Sequence, residues 1–132
     1  MRLVYVDTSA ALKTLIDEHG TDRVRRVFEQ ATAGELSLVS SRLLRTEMYR
    51  VAFREAIPDD DVAAVLSHVA LVDLTRALLD AAAALRFHVR TLDAIHLATA
   101  AELDQGEDRV HLLTADGTMR RRAQDLGLHL VR

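Results

Sequence analysis

Four acidic residues, widely separated in the sequence, stand where carboxylates could act together: Asp7, Glu47, Asp93 and Asp116. Each lies inside or at the end of an apolar segment, which favours partial burial. Carboxylates gathered in one place need compensation, because two of them about 5 Å apart repel by roughly 3 kcal/mol at an effective dielectric near 20. The chain has no cysteine, and carboxylate oxygens favour a hard cation such as Mg²⁺, or Mn²⁺ in its place.

A magnesium site rich in acids is typical of proteins that act on phosphates. A cation in such a site lowers the pKa of a bound water and places that water in line with phosphorus. It also stabilises negative charge on the phosphate oxygens and on the leaving group. The four acids therefore indicate metal-dependent chemistry on a phosphate ester.

Each acid also has a purely structural explanation. Asp7 and Asp116 could cap the helices predicted to begin just after them. Asp93 could stabilise the start of a helix through the helix dipole. Glu47 could lie at the edge of an apolar stripe, where it would reach water or pair with Arg50 three residues on. The chemical interpretation depends on whether the four side chains converge.

Two predicted helices carry the acids that do not follow strands. Glu47 falls in the middle of the apolar face of a helix predicted over residues 42–56. A second helix, predicted over residues 91–100, has almost no polar side and holds Asp93 in its first turn. His96 lies one turn further along and could join Asp93 in binding a transition metal. A packed histidine with one satisfied nitrogen is the simpler interpretation.

Five apolar segments predict strands, and helical patterns separate them. This alternation predicts a parallel sheet with helices on both faces, an α/β fold. In open α/β sheets, ligands bind beyond the carboxyl ends of the strands, where Asp7 and Asp116 are expected. Asp73 falls within the third segment and is a weaker candidate. The predicted strands cover residues 3–6, 36–39, 70–74, 110–114 and 128–131.

Length and composition limit the class of protein. A chain of 132 residues predicts a single domain over residues 1–132. The absence of cysteine excludes disulfides, zinc-thiolate sites and thiol nucleophiles. No apolar run is long enough to span a bilayer and no signal-peptide pattern is present, so we expect a soluble, cytoplasmic protein that does not bind membranes. The net charge is −3, but setting four acids aside as metal ligands makes the remainder slightly positive, which is compatible with an anionic substrate.

Four motifs in the right order give the chain a family resemblance over essentially its whole length. They are VYVDTSA at residues 4–10, Glu47 in the helix after the second strand, LDAIHLA at residues 92–98 and LTAD at residues 113–116. Together they resemble the PIN-domain ribonucleases, and among these the VapC-type toxins of bacterial and archaeal type II toxin–antitoxin pairs. Each motif is weak alone, and their combination is fairly specific.

The resemblance implies both a fold and a function. It implies a three-layer α/β/α fold whose sheet has the strand order 3-2-1-4-5. It further implies an endoribonuclease dependent on Mg²⁺, a homodimer and a VapB-like antitoxin that crosses the acidic groove. Cleavage by a metal-activated water would leave a 5′-phosphate and a 3′-hydroxyl. The implied site consists of the acids Asp7, Glu47, Asp93 and Asp116, with Ser9 and Thr114 as supporting polar residues.

Other function classes fit the sequence less well. A response-receiver domain needs a lysine near its last strand, and the only lysine is Lys13. A haloacid-dehalogenase-like phosphatase needs a second aspartate at the position of Ser9. The remaining alternative is a PIN fold without turnover, whose acidic groove only holds a partner protein or RNA. Many arginines on predicted helices could contact phosphates, and the sequence does not distinguish among them.

Overall fold

Five parallel strands form the centre of the molecule in the computed structural model, which describes residues 2–132. Their spatial order is β3-β2-β1-β4-β5, so the predicted α/β fold and strand order are confirmed. The first strand pairs with β2 on one side and β4 on the other, with Val6 opposite Leu113. The strands are β1 (Arg2–Val6), β2 (Leu36–Ser41), β3 (Val69–Val72), β4 (Val110–Leu113) and β5 (His129–Leu130).

Helices cover both faces of this sheet. Side chains of β1 alternate between the two faces, with Val4 and Val6 in one apolar core and Tyr5 in the other. The first four helices contribute to the core around Val6, and α6 and α7 contribute to the core around Tyr5. The helices are α1 (Thr8–Leu12), α2 (Thr21–Thr32), α3 (Leu43–Arg54), α4 (Asp59–Leu66), α5 (Arg76–Ala83), α6 (Thr91–Leu103) and α7 (Gly117–Asp125).

The helix after β1 is shorter than its sequence pattern predicts. The pattern indicates a helix over residues 10–18, whereas α1 begins at Thr8 and ends at Leu12. After that point the N–H groups of Lys13, Thr14 and Leu15 donate to carbonyls three residues back, which is the tighter 3₁₀ pattern. The early start of α1 places its N-terminus directly beside Asp7.

The helix with the most apolar sequence is also the most deeply buried. Every residue of α6 from Ala94 to Ala100 is buried, as the absence of a polar side predicts. It packs against α5, α7 and the strands β2 and β4. Within the described residues, no helix has both the length and the apolar composition required to cross a membrane.

Candidate active site

Asp7 follows β1 and caps α1, so the capping explanation is correct for this residue. Its side chain is only 3% exposed. Oδ1 accepts hydrogen bonds from the backbone N–H and the hydroxyl of Ser9, both at 2.6 Å, and from the N–H of Ala10 at 3.3 Å. Oδ2 accepts a hydrogen bond from the hydroxyl of Thr114 at 2.6 Å. Four donors therefore hold a buried carboxylate rigidly at the carboxyl end of the central strand.

Asp116 repeats this arrangement at the end of the neighbouring strand. It caps α7, and its Oδ1 accepts from the N–H groups of Thr118 at 2.7 Å and Met119 at 3.1 Å. Its own N–H donates to the hydroxyl of Thr114, which in turn donates to Asp7. Thr114 thus links the two acids that follow β1 and β4. The Oδ2 atom of Asp116 makes no capping bond and is free to face a cation.

That cation is the guanidinium of Arg90, which also reaches Asp93. Nε of Arg90 lies 3.2 Å from Oδ2 of Asp93, and one of its terminal nitrogens lies 3.5 Å from Oδ2 of Asp116. Asp93 stands in the first turn of α6 with a side chain 20% exposed, whereas the Arg90 side chain is 81% exposed. One arginine therefore enters from solvent and spans two carboxylates that come from different elements.

The charge of Asp93 responds to the other aspartates. Burial raises the pKa of the Asp93 carboxyl, the adjacent Arg90 opposes that increase, and the carboxylates of Asp7 and Asp116 raise the pKa further. Three aspartates from three elements thus share one electrostatic environment at the carboxyl end of the sheet, as convergence requires.

Glu47 belongs to a separate hydrogen-bonded chain beside these aspartates. Its Oε1 accepts from the hydroxyl of Thr8 and from Nε2 of His96, both at 2.7 Å. Because a carboxylate only accepts, Nε2 carries the proton, and Nδ1 accepts from the Tyr5 hydroxyl at 2.7 Å. Burial raises the pKa of Tyr5, which keeps this hydroxyl protonated. The Tyr5 oxygen also accepts from the N–H of Ser41.

His96 is a packed histidine, and both of its ring nitrogens have partners instead of the single satisfied nitrogen that we expected. It is 1% exposed and lies beside Tyr5, with the two ring centroids 5.8 Å apart. With Nε2 facing Glu47 and Nδ1 facing Tyr5, neither nitrogen is directed at Asp93. The Asp-x-x-His spacing therefore does not form a metal-ligand pair here.

Thr114 and Arg90 link the three aspartates, whereas Glu47 accepts from the hydroxyl of Thr8, the residue after Asp7. Over residues 2–132, no three His, Asp or Glu side chains already stand in metal-binding geometry. Arg90 lies between two of the acids and supplies the positive charge that a metal would supply. The carboxylate oxygens suit Mg²⁺ or Mn²⁺, so the donor set fits such an ion once Arg90 moves out toward solvent.

Sequence reasoning missed Arg90, Thr8 and Tyr5 as parts of this site. Arg90 had a recognisable signal: it precedes α6 and stands three residues before Asp93, and a cation at a helix N-terminus opposes the dipole unless an acid compensates it. The cap position of α6 belongs to Arg90, and Thr91 is the first helical residue. Tyr5 gave no signal beyond its place in a buried strand.

Comparisons with known proteins agree with this geometry. A family model described as PIN domain matches residues 4–124. The chain is 36% identical to Ribonuclease VapC46 of Mycobacterium tuberculosis (strain ATCC 25618 / H37Rv), over 99% of this chain and 98% of that protein. It is 30% identical to Ribonuclease VapC35 of the same strain, over 98% and 96% of the two chains. It is 35% identical to Ribonuclease VapC47 of strain CDC 1551 / Oshkosh, over 76% of each chain. The chain therefore belongs to the PIN domain family.

Proposed function

We propose that this protein is a metal-dependent endoribonuclease that acts as the toxin of a type II toxin–antitoxin pair. The observation that carries the proposal is a linked group of three aspartates at the carboxyl end of the sheet: Arg90 bridges Asp93 and Asp116, and Thr114 joins Asp116 to Asp7. The relatives' names, which describe ribonucleases of the VapC type, support RNA as the substrate. Glu47, which accepts a hydrogen bond from Thr8, is the fourth member of the proposed acidic set.

The protein's own residues have distinct tasks in this proposal. A divalent cation, when bound, supplies a water of lowered pKa and offsets charge on the phosphate. Asp7 is preorganised for such a cation because Ser9 and Thr114 hold both of its oxygens in place. Asp93 and Asp116 pair with the largely exposed side chain of Arg90 and would exchange it for the metal. The ribose 2′-hydroxyl has no role, so the expected products carry a 5′-phosphate and a 3′-hydroxyl.

Incubation of bacterial total RNA with the purified protein tests this function. We expect internal cleavage in Mg²⁺ or Mn²⁺ and none in excess EDTA. The alternative of a binding module without turnover is favoured by one observation, the Arg90 bridge, which shows that the acids already accept a guanidinium. RNA binding with no cleavage in any divalent metal would support that alternative against the nuclease.

Protein partners form the second part of the proposal. We propose a VapB-like antitoxin and a homodimer, consistent with the VapC names of the relatives. Four large apolar side chains at the surface are candidate contacts for such partners. They are Phe53, which is 78% exposed, and Leu74, Leu79 and Leu92, which are 39–46% exposed.

Metal binding should be visible as stabilisation before any RNA is added. Mg²⁺ at ten times its dissociation constant is expected to stabilise the native protein by about 1.4 kcal/mol, or roughly 2 to 6 °C in melting temperature. Asp93→Asn should lose this increase. Without metal it should be no less stable than the wild type, because burial and the neighbouring carboxylates disfavour the Asp93 charge.

Thermal denaturation in EDTA and in a Mg²⁺ titration measures both effects. Asp73→Asn is the matched control, since Asp73 is an exposed acid just past β3, which is the edge strand and lies two strands from β1. If Asp93→Asn is clearly less stable than the wild type without metal, Asp93 serves to stabilise the start of α6, and the proposed metal site is wrong.

A further inference from the structure

A second charged surface lies at the opposite end of the sheet from the acids. It is a groove of about 1170 Å³, here called the amino-end groove. It runs past Arg2 at the start of β1 and His129 at the start of β5, whereas Asp7 follows the carboxyl end of β1. Five arginines line it: Arg2, Arg23, Arg26, Arg120 and Arg132.

This groove carries an excess of positive charge. Within residues 2–132, none of its five arginines forms an ion pair with a carboxylate, and only Glu29 and Glu35 bring acidic side chains to its lining. The arginines are also crowded. Burial lowers the pKa of Arg23, and the charges of Arg120 and Arg26 lower it further. The fold therefore holds like charges together where an anion would relieve their repulsion.

Two parts of the groove are fixed in place. The guanidinium of Arg23 donates to the carbonyl of Val131. The rings of His111 and His129 stack with their centroids 5.3 Å apart and their planes 25° apart. Burial, His129 and Arg2 lower the pKa of His111, so its ring is neutral near pH 7. A cationic groove with flat rings beside it is the combination that binds single-stranded nucleic acid, through phosphates and stacked bases.

We propose that the amino-end groove binds the phosphate backbone of single-stranded RNA and gives the substrate a second contact outside the acidic site. The inference rests on the proposed ribonuclease function. The need for such a contact is electrostatic, because an acidic site repels the RNA backbone and Arg90, which lies in that site, is engaged with two carboxylates. The same charges oppose a second copy of the chain in this groove, since two copies would bring their arginines together.

The groove also distinguishes the arginines that are proposed to contact RNA from the many others on the same helices. Arg25 and Arg26 are neighbours on α2, but only Arg26 lines the groove, and Arg25 lines a different, apolar cavity with Phe28 and Val65. On α7, Arg120 lines the groove, whereas Arg122 pairs with Asp125 at 3.0 Å. Each helix thus offers a groove arginine and a control arginine outside the groove.

The test compares two double variants that remove equal charge from the same helices. Arg26→Gln with Arg120→Gln removes groove arginines, and Arg25→Gln with Arg122→Gln is the matched control. Binding of a fluorescein-labelled single-stranded RNA of mixed sequence is measured by anisotropy in the inactive Asp7→Asn background, in EDTA and at several salt concentrations. The groove pair should weaken binding at least about tenfold at low salt. It should also reduce the slope of log affinity against log salt by about 1.4, as two lost phosphate contacts require. The control pair should do neither.

Cleavage by the same pairs with Asp7 intact separates binding from chemistry. The groove variant should raise KM and leave kcat close to that of the wild type. If the groove and control variants bind RNA equally well while the wild type still cuts RNA, the proposed RNA-binding role of the groove is wrong. Dissociation of a wild-type dimer by the groove variant alone would also overturn it, because the surface would then join two copies. Failure of the ribonuclease proposal looks different: the wild type would cut no RNA, and the groove pair would still weaken RNA binding.

Discussion

Replacing Asp7 with asparagine is expected to reduce the rate of RNA cleavage at least about 10³-fold, which corresponds to roughly 4 kcal/mol of transition-state stabilisation. Asparagine keeps the shape of the side chain but removes one charge from the proposed metal site. The loss should be large because Asp7 is the most buried of the four acids and the one held by the most donors. Initial rates on an RNA that the wild type cuts give the measurement.

The effect must be separated from damage to the fold. Asparagine is as good a helix cap as aspartate, and its oxygen can still accept from the N–H groups of Ser9 and Ala10. The melting temperature in EDTA should therefore stay within a few degrees of the wild type. Asp73 is an exposed acid past β3, so the control variant Asp73→Asn should retain full activity. Wild-type cleavage by Asp7→Asn would remove Asp7 from the proposed machinery.

Neutralising Glu47 or Asp116 is expected to weaken antitoxin binding about 30-fold or more. An open acidic groove is best blocked by an antitoxin arginine or lysine that replaces the metal, and loss of one partner in such a buried pair costs about 2–5 kcal/mol. Arg90 already shows that a guanidinium fits between Asp93 and Asp116. The variants are Glu47→Gln and Asp116→Asn.

Calorimetric titration with the antitoxin measures this effect. The partner is to be sought in the open reading frame beside the gene, where a short DNA-binding protein is expected. Asp73→Asn again serves as the control for loss of one negative charge. Unchanged affinity in both Glu47→Gln and Asp116→Asn would mean that the antitoxin inhibits from another surface.

The fold was predictable because its signals are repeated along the chain. Apolar runs without alternation indicate strands buried on both faces, and helical segments between them require parallel pairing. The near-complete burial of α6 followed from a segment with no polar side. Element ends were less predictable. The spacing of Leu12 and Leu15 fits an α-helix and the 3₁₀ turns that follow α1 equally well, because residues three apart fall on one side in both.

The candidate site was predictable in part. The pattern places Asp7 and Asp116 just past strands, and only the family resemblance implied that these strands are neighbours. The structure shows that an acid can cap a helix and still belong to a cluster. Our two interpretations of these residues were therefore not exclusive. A sequence pattern cannot show which polar atoms will be partners when they are far apart along the chain. Tyr5 meets His96 across 91 positions, and no local rule pairs them.

End-group analysis of the cleaved RNA tests the central claim most directly. Total RNA is incubated with the protein in Mg²⁺ or in excess EDTA, and fragments are captured by ligating an adaptor to 5′-phosphates without prior kinase treatment. The four-acid site predicts capture of new internal ends in Mg²⁺, with free 3′-hydroxyls on the upstream fragments, and no new ends in EDTA or with Asp7→Asn. Fragments that end in 2′,3′-cyclic phosphate, or full cleavage in EDTA, would contradict the roles given to Asp7, Glu47, Asp93 and Asp116.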